Sequence, residues 1–188
     1  MSHTKTRQLI LIAILAALSF VLMFFQFPIL PAASFLQIDF SLIPILLGLF
    51  LYDLKSAYAV LLWRSLLKLI LNNEGLGDLI GLPMNIVAMG VFVLAFALVW
   101  KKHQTRKSYL LASILATIFL IISMLVLNYA FAIPLYAKFA NFDIAKLIGI
   151  AHYLLVMVIP FNLIQGVILS LTFAAVFLLL KPAIKRLI

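Results

Sequence analysis

Six side chains able to hydrogen bond strongly stand inside stretches otherwise built from Leu, Ile, Val, Phe and Ala: Arg64, Lys68, Asn85, Asn128, Asn162 and Gln165. An amide offers donors and an acceptor without titrating, and it is neither a nucleophile nor a proton-transfer group. Amides gathered round a cavity would therefore orient a ligand by its polar edge; they do not break its bonds. Asn162 and Gln165, three residues apart, share one helix face. The two cations can donate to ligand carbonyls or pair with Asp39, Glu74 or Asp78.

The groups that would make an enzyme are missing. No GxxxxGK(S/T) phosphate loop occurs, so any energy for work must come from elsewhere. His3 and His103 sit in basic segments and His152 at the end of an apolar run, with no HExxH spacing and no carboxylate cluster, so no metal site is expected. The aspartates fall between apolar runs, no Ser-His pair shares a depth, and no cysteine is present for thiolate or disulfide chemistry. A binding or transport protein is expected, with no catalytic residue and no cofactor.

What must position the amides is a set of membrane helices. Of 188 residues, 67% are hydrophobic and only 10% charged, and the mean hydropathy of +1.29 lies outside the soluble globular range. The apolar runs come at helix length, not as short alternating segments, which predicts an all-α integral membrane bundle and not a barrel. Charge, proline and glycine punctuate six spans, about 9–27, 41–52, 56–72, 80–100, 109–135 and 153–180, in a single domain over 1–188. The second is short: at 1.5 Å per residue it reaches roughly 18 Å against about 30 Å of hydrocarbon. It must run on into Asp53 to Lys55 or cross only part of the membrane, with Asp39 or Ser41 capping its start. The run after Lys5 and Arg7 looks like a signal peptide with Pro31 to Ser34 as its cleavage site, but it is long enough to span and is expected to stay as the first helix.

If the spans alternate sides, ten of the fourteen lysines and arginines fall on the N-terminal side: Lys5, Arg7, Lys55, Lys101, Lys102, Arg106, Lys107, Lys181, Lys185 and Arg186. Only Lys138 and Lys146 fall opposite. The bias places both termini in the cytoplasm, so the net charge of +9 reports topology and not nucleic-acid binding. Measured from the outer helix ends, Lys68 lies roughly 6 Å deep and Arg64 roughly 12 Å. Asn85, Asn128, Asn162 and Gln165 share that outer-to-middle layer. Below it stand only hydroxyls, among them Ser113, Thr117 and Ser170, which can bond their own helix backbone. One asparagine gluing two helices is ordinary. Four helices contributing polar groups to one layer predict a pocket open to the outside and closed below, because such groups avoid lipid. Pro83 and Pro160 precede Asn85 and Asn162, and their rings should kink both helices and free the carbonyls of Leu79 and Val156 for the same wall.

The segment Pro28 to Pro44, PILPAASFLQIDFSLIP, is the one long interruption that is neither basic nor turn-like. Three prolines deny it regular helix, while Phe35, Leu36, Ile38 and Phe40 give it an apolar underside beside Gln37 and Asp39. It fits a lid folded back over the bundle, and it equally fits a connector lying among headgroups with aromatic anchors. Phe24, Phe25, Phe27, Phe35, Phe40, Tyr129, Phe131, Tyr153 and Phe161 supply walls for a flat ligand that is apolar except at one edge.

The segments LQIDFSLIP (36–44), GLGDLIGLPMNIVA (75–88), NYAFAIPLY (128–136) and PFNLIQG (160–166), with six spans and a basic fourth-to-fifth loop, resemble a known family over essentially the whole chain. That family is the riboflavin-specific substrate-binding subunits, or S components, of energy-coupling factor transporters. The resemblance implies a multi-pass protein of the bacterial plasma membrane that binds riboflavin from outside, under the loop joining helices 1 and 2. It implies association through an alanine face on helix 1, here Ala13 and Ala17, with a transmembrane coupling subunit and two ATPases. The aromatic walls would take the isoalloxazine, Asn85, Asn128, Asn162 and Gln165 would bond its polar edge and ribityl chain, and Gln37 and Asp39 would close over it. Phe40, Lys68 and Tyr129 complete the candidate ligand contacts. Many relatives read PFNLxKG where this chain has Gln165, so a lysine donor is replaced by an amide. An S component for thiamine or biotin, and a stand-alone channel, are the other readings.

Overall fold

The computed structural model describes residues 3–184; Lys185 and Arg186 of the charge argument lie outside the described residues, as does the side chain of Lys102. Helix α1 (His3–Leu22) ends five residues earlier than the apolar pattern suggests. Met23, Phe24 and Phe25 bond back only three residues, to Phe20, Val21 and Leu22, in a tight turn that delivers the chain to Pro28. The lid segment then forms a small hairpin in which β1 (Phe27–Pro28) pairs antiparallel with β2 (Gln37–Ile38), closed by a 3-10 turn over Pro31–Ala33. Among the described residues this is the one departure from the all-α expectation, and its two-residue strands are too short to show an alternating pattern. The underside is apolar as expected: Ala33 and Ile38 are fully buried, and Leu30 and Leu36 pack on Ile133, Ile144 and Tyr153.

Helix α2 (Leu42–Leu51) has eight buried residues in its ten and touches α1 and three later helices. At 1.5 Å per residue it covers roughly 15 Å, so it stops short of crossing a bilayer alone. Its entry turn is capped from outside: Asp39 Oδ1 accepts the Ser41 N–H at 2.7 Å, and Ser19 Oγ on α1 donates to the Ser41 carbonyl at 2.6 Å. Tyr52 breaks the helix and Asp53 starts α3 (Leu54–Leu71), accepting the Ser56 N–H and hydroxyl at 2.7 and 2.8 Å. Those bonds, the backbone one first, hold the Asp53 carboxyl below the ordinary carboxylate range.

Helix α4 (Leu76–His103) runs unbroken through Pro83. After Gln104, in the left-handed region, Thr105 caps α5 (Arg106–Leu127). A π-helical turn at Asn128–Ala132 leads into α6 (Ile133–Phe139), whose second residue is Pro134. Short helices α7 (Ile144–Leu147) and α8 (Ile150–His152) follow, and a second π-turn, Tyr153–Val158, feeds α9 (Ile159–Ile184). Pro160 is therefore accommodated by widening the preceding turn, which absorbs the missing donor and the ring clash. Lys5–Leu22, Leu76–Lys101, Arg106–Phe139 and Ile150–Pro182 are each long and apolar enough to cross a membrane.

The half of the bundle near the start of α1 is sealed. Phe50, Phe96, Trp100, Tyr109, Phe173 and Phe177 pack edge to face at 4.5–6.0 Å, a geometry favoured by ring quadrupoles. Ser113 and Thr117 bond their own helix at Tyr109 and Ser113, as expected for hydroxyls with no other task. Helix α5 packs closely on α9 at Gly166, where an added Cβ would lie 2.9 Å from Thr117 Cβ. Gly166→Ala is expected to lower stability by about 1–3 kcal/mol through overpacking, read as a drop in the unfolding midpoint in detergent. Adding Thr117→Gly, which vacates the colliding atoms, should recover most of the loss; no recovery would show that the contact is not the cause.

Candidate functional site

Above the sealed half lies a cavity of about 520 Å³, within the range that encloses a drug-sized ligand. Its roof is Phe35, Leu36 and Gln37 of the hairpin. Its walls come from α4, α5, the π-turns, α6 and α9, and Ala140, Phe142 and Ile144 close the side. Its floor is Ala88, Met89 and Leu120, members of the main apolar core.

Besides Gln37 in the roof, four amides line the walls of this space, and their hydrogen bonds decide what each can offer. Asn162, 1% exposed, donates from Nδ2 to the Val158 carbonyl at 2.8 Å, which leaves Oδ1 as a buried acceptor with no partner among the described residues. Asn128 donates to the Met124 carbonyl at 2.7 Å and accepts the Tyr153 hydroxyl at 2.6 Å, so one N–H remains. Asn85 accepts from Arg64 at Oδ1. Gln165, 7% exposed, lines the wall one helical turn beyond Asn162. A wall with a spare acceptor and spare donors, in a lining otherwise of Met, Phe, Leu and Ala, suits an uncharged ligand with a mixed polar edge.

Five of the nine residues proposed as ligand contacts therefore line one cavity: Gln37, Asn85, Asn128, Asn162 and Gln165. The other four lie elsewhere. Asp39 caps the Ser41 turn, and Phe40 packs beside Phe27 at 5.9 Å and against the main apolar core. Lys68 is neutralised locally, bonding Asn72 at 2.8 Å and pairing with Asp78 and Glu74 at 3.1 and 3.3 Å beyond the end of α3. Tyr129 is 63% exposed and points away from the bundle, a full step round the helix from Asn128.

Sequence reasoning passed over Tyr136, Met84, Met89, Met124 and the Ala140 to Ile144 wall. Asn141 and Gly149, both at positive φ, mark the sharp turns that bring this loop back to the cavity. Arg64, fully buried in α3, bonds Ser41 Oγ and Asn85 Oδ1 and does not reach the cavity. Ala13 and Ala17 stand exposed on α1, beside the stripe that buries Ile12, Ala16 and Ser19.

Known proteins place this geometry in a family. Residues 7–177 match the family model described as ECF transporter, substrate-specific component. The riboflavin transporter RibU of Streptococcus thermophilus is 57% identical over 184 residues, covering 98% of this chain and 87% of that protein. RibU of Leuconostoc mesenteroides is 41% identical over 97% of this chain and 95% of its own length. A solved S component of a bacterial ECF transporter superimposes with a TM-score of 0.80 at 32% identity, over 97% of this chain and 99% of that one. The chain belongs to the substrate-specific components of ECF transporters.

Proposed function

We propose that this chain is the riboflavin-binding subunit of an ECF transporter, holding the vitamin in the amide-lined cavity beneath the hairpin. The observation that carries the reading is the unspent hydrogen-bonding capacity of that cavity, above all Asn162 Oδ1, set over an apolar floor. Riboflavin fits such a wall: its ring is flat and uncharged, with carbonyls and an N–H along one edge and a hydroxylated ribityl arm. The curated relatives named above are riboflavin transporters, which supports that ligand over thiamine or biotin. No chemistry on the vitamin is required, so the chain acts as a receptor and not as an enzyme.

On this reading α2 and α3 complete six membrane segments in one domain, with both termini cytoplasmic. The basic end supports that orientation: Gln8 bonds Ser56 at 2.9 Å and Lys101 bonds the Tyr52 carbonyl at 2.9 Å, so the cationic stretches gather at one pole. The cavity then faces outward, the hairpin is its extracellular lid, and the membrane is the bacterial plasma membrane. Delivery requires a coupling subunit and two ATPases, docked on the Ala13 and Ala17 face.

Detergent-purified protein should carry the absorption spectrum of flavin, or quench the fluorescence of added riboflavin in a saturable way. Thiamine and biotin should fail to displace it. No binding at micromolar riboflavin, or displacement by another vitamin at lower concentration, would overturn the ligand assignment.

A further inference from the structure

Helix α3 contributes no residue to the cavity lining, yet one of its side chains touches the wall from behind. Arg64 Nη2 donates to Asn85 Oδ1, while Nη1 donates to Ser41 Oγ at the start of α2. A guanidinium has donors only, so the Asn85 atom that faces it must be the carbonyl oxygen. The amide nitrogen of Asn85 is thereby turned the other way; it has no partner among the described residues and belongs to a half-buried side chain that lines the cavity.

We propose that Arg64 is a positioning residue that sets specificity: it fixes the Asn85 amide with its NH2 group toward the ligand, so that this wall donates and does not accept. The same guanidinium holds Ser41, four residues after the lid residue Gln37, whose carbonyl is tied to Ser19 on α1 at 2.6 Å and whose N–H is tied to Asp39. The lid stem and the donor wall are thus referenced to one buried cation. Asp39 supplies the nearby opposite charge that such a cation needs. A ligand presenting a carbonyl or hydroxyl oxygen to α4 is accepted there, and one presenting an N–H meets two donors and is rejected. The assignment rests on the riboflavin reading only for its probe.

The test is a riboflavin titration by fluorescence quenching, run first on the wild-type chain and then on variants, with ligand-free unfolding midpoints taken alongside. If another vitamin proves to be the ligand, the same series is run with that vitamin, so loss of the riboflavin reading stays separate from loss of this one. Asn85→Ala should raise Kd about tenfold, the worth of one good hydrogen bond in a dry site. Arg64→Met should raise it at least as much, and the double variant should be no worse than Arg64→Met alone, because an unheld Asn85 no longer contributes. Losses that multiply in the double variant would overturn the proposal, since a merely structural arginine acts independently of Asn85. Asn85→Asp decides without touching Arg64: it puts an acceptor where the donor stood, and should bind about tenfold more weakly than Asn85→Ala. Equal affinity of those two variants would also overturn it, whatever the folding yield of Arg64→Met.

Discussion

Replacing Asn162 with leucine is expected to raise the Kd for riboflavin about 10- to 100-fold while leaving the ligand-free protein almost as stable as before. The two halves of that expectation come from the two ends of one amide. Its Oδ1 is buried and without a partner among the described residues, a state that costs on the order of 1–3 kcal/mol and persists in a native protein when something else uses the group. Its Nδ2 bonds the Val158 carbonyl next to a π-turn, a bond worth about 1 kcal/mol. Leucine has nearly the same volume, removes the orphan acceptor and loses the backbone bond, so the two changes to the empty protein roughly offset. The ligand gains no such compensation. Its N–H or hydroxyl would be dried out against a methyl group, and a buried donor left unmet costs the 1–3 kcal/mol that sets the affinity range. Titration and thermal unfolding of the same preparation check both halves. A fall in the ligand-free midpoint comparable to the affinity loss would mean that Asn162 is a structural amide and that the cavity's acceptor lies elsewhere.

The parts of this site that the sequence made legible are those where polarity is expensive. Asn85, Asn128, Asn162 and Gln165 stand out because lipid cannot satisfy an amide, and the structure gathers all four around one cavity. Lys68 stood out for the same reason and lies in a neighbouring layer, but Asn72, Glu74 and Asp78 fold back to neutralise it. Those acids were visible as letters; the turn that brings them to α3 was not. Tyr129 was misplaced because a π-turn has no sequence period of its own, and one residue's rotation separates a buried Asn128 from a tyrosine that faces outward. Asp39 was read as both cap and ligand contact, and the cap is what the structure uses. The hairpin's strands are two residues each, below the length at which alternation can be seen, although its buried underside at Ala33 and Ile38 follows from its composition. Arg64 was counted as a cation with two possible duties; its real partners, Ser41 and Asn85, are neutral and come from different helices, which no spacing rule reports.

Substituting Ala13 and Ala17 together with leucine is expected to abolish riboflavin uptake in cells while leaving the affinity of the purified subunit unchanged. Both alanines are exposed on α1, beside the stripe that buries Ile12, Leu15 and Ala16 against the bundle. Added side chains there meet lipid in the isolated subunit, so neither packing nor the cavity is disturbed. In the assembled transporter the same positions would let a partner helix come close, because helix association in lipid relies on small residues and not on a hydrophobic drive. Two leucines overfill such a contact at a cost on the order of 3 kcal/mol, which is about 100-fold in assembly. The cavity floor of Ala88, Met89 and Leu120 belongs to one apolar core with the edge-to-face rings of Phe96, Trp100 and Phe173, so on the proposed function riboflavin would need a partner subunit to leave downward. Binding and transport should therefore separate cleanly. Uptake that survives both leucines at the wild-type rate would show that α1 is not the docking face, and uptake by the chain alone in liposomes would show that the sealed floor opens by itself.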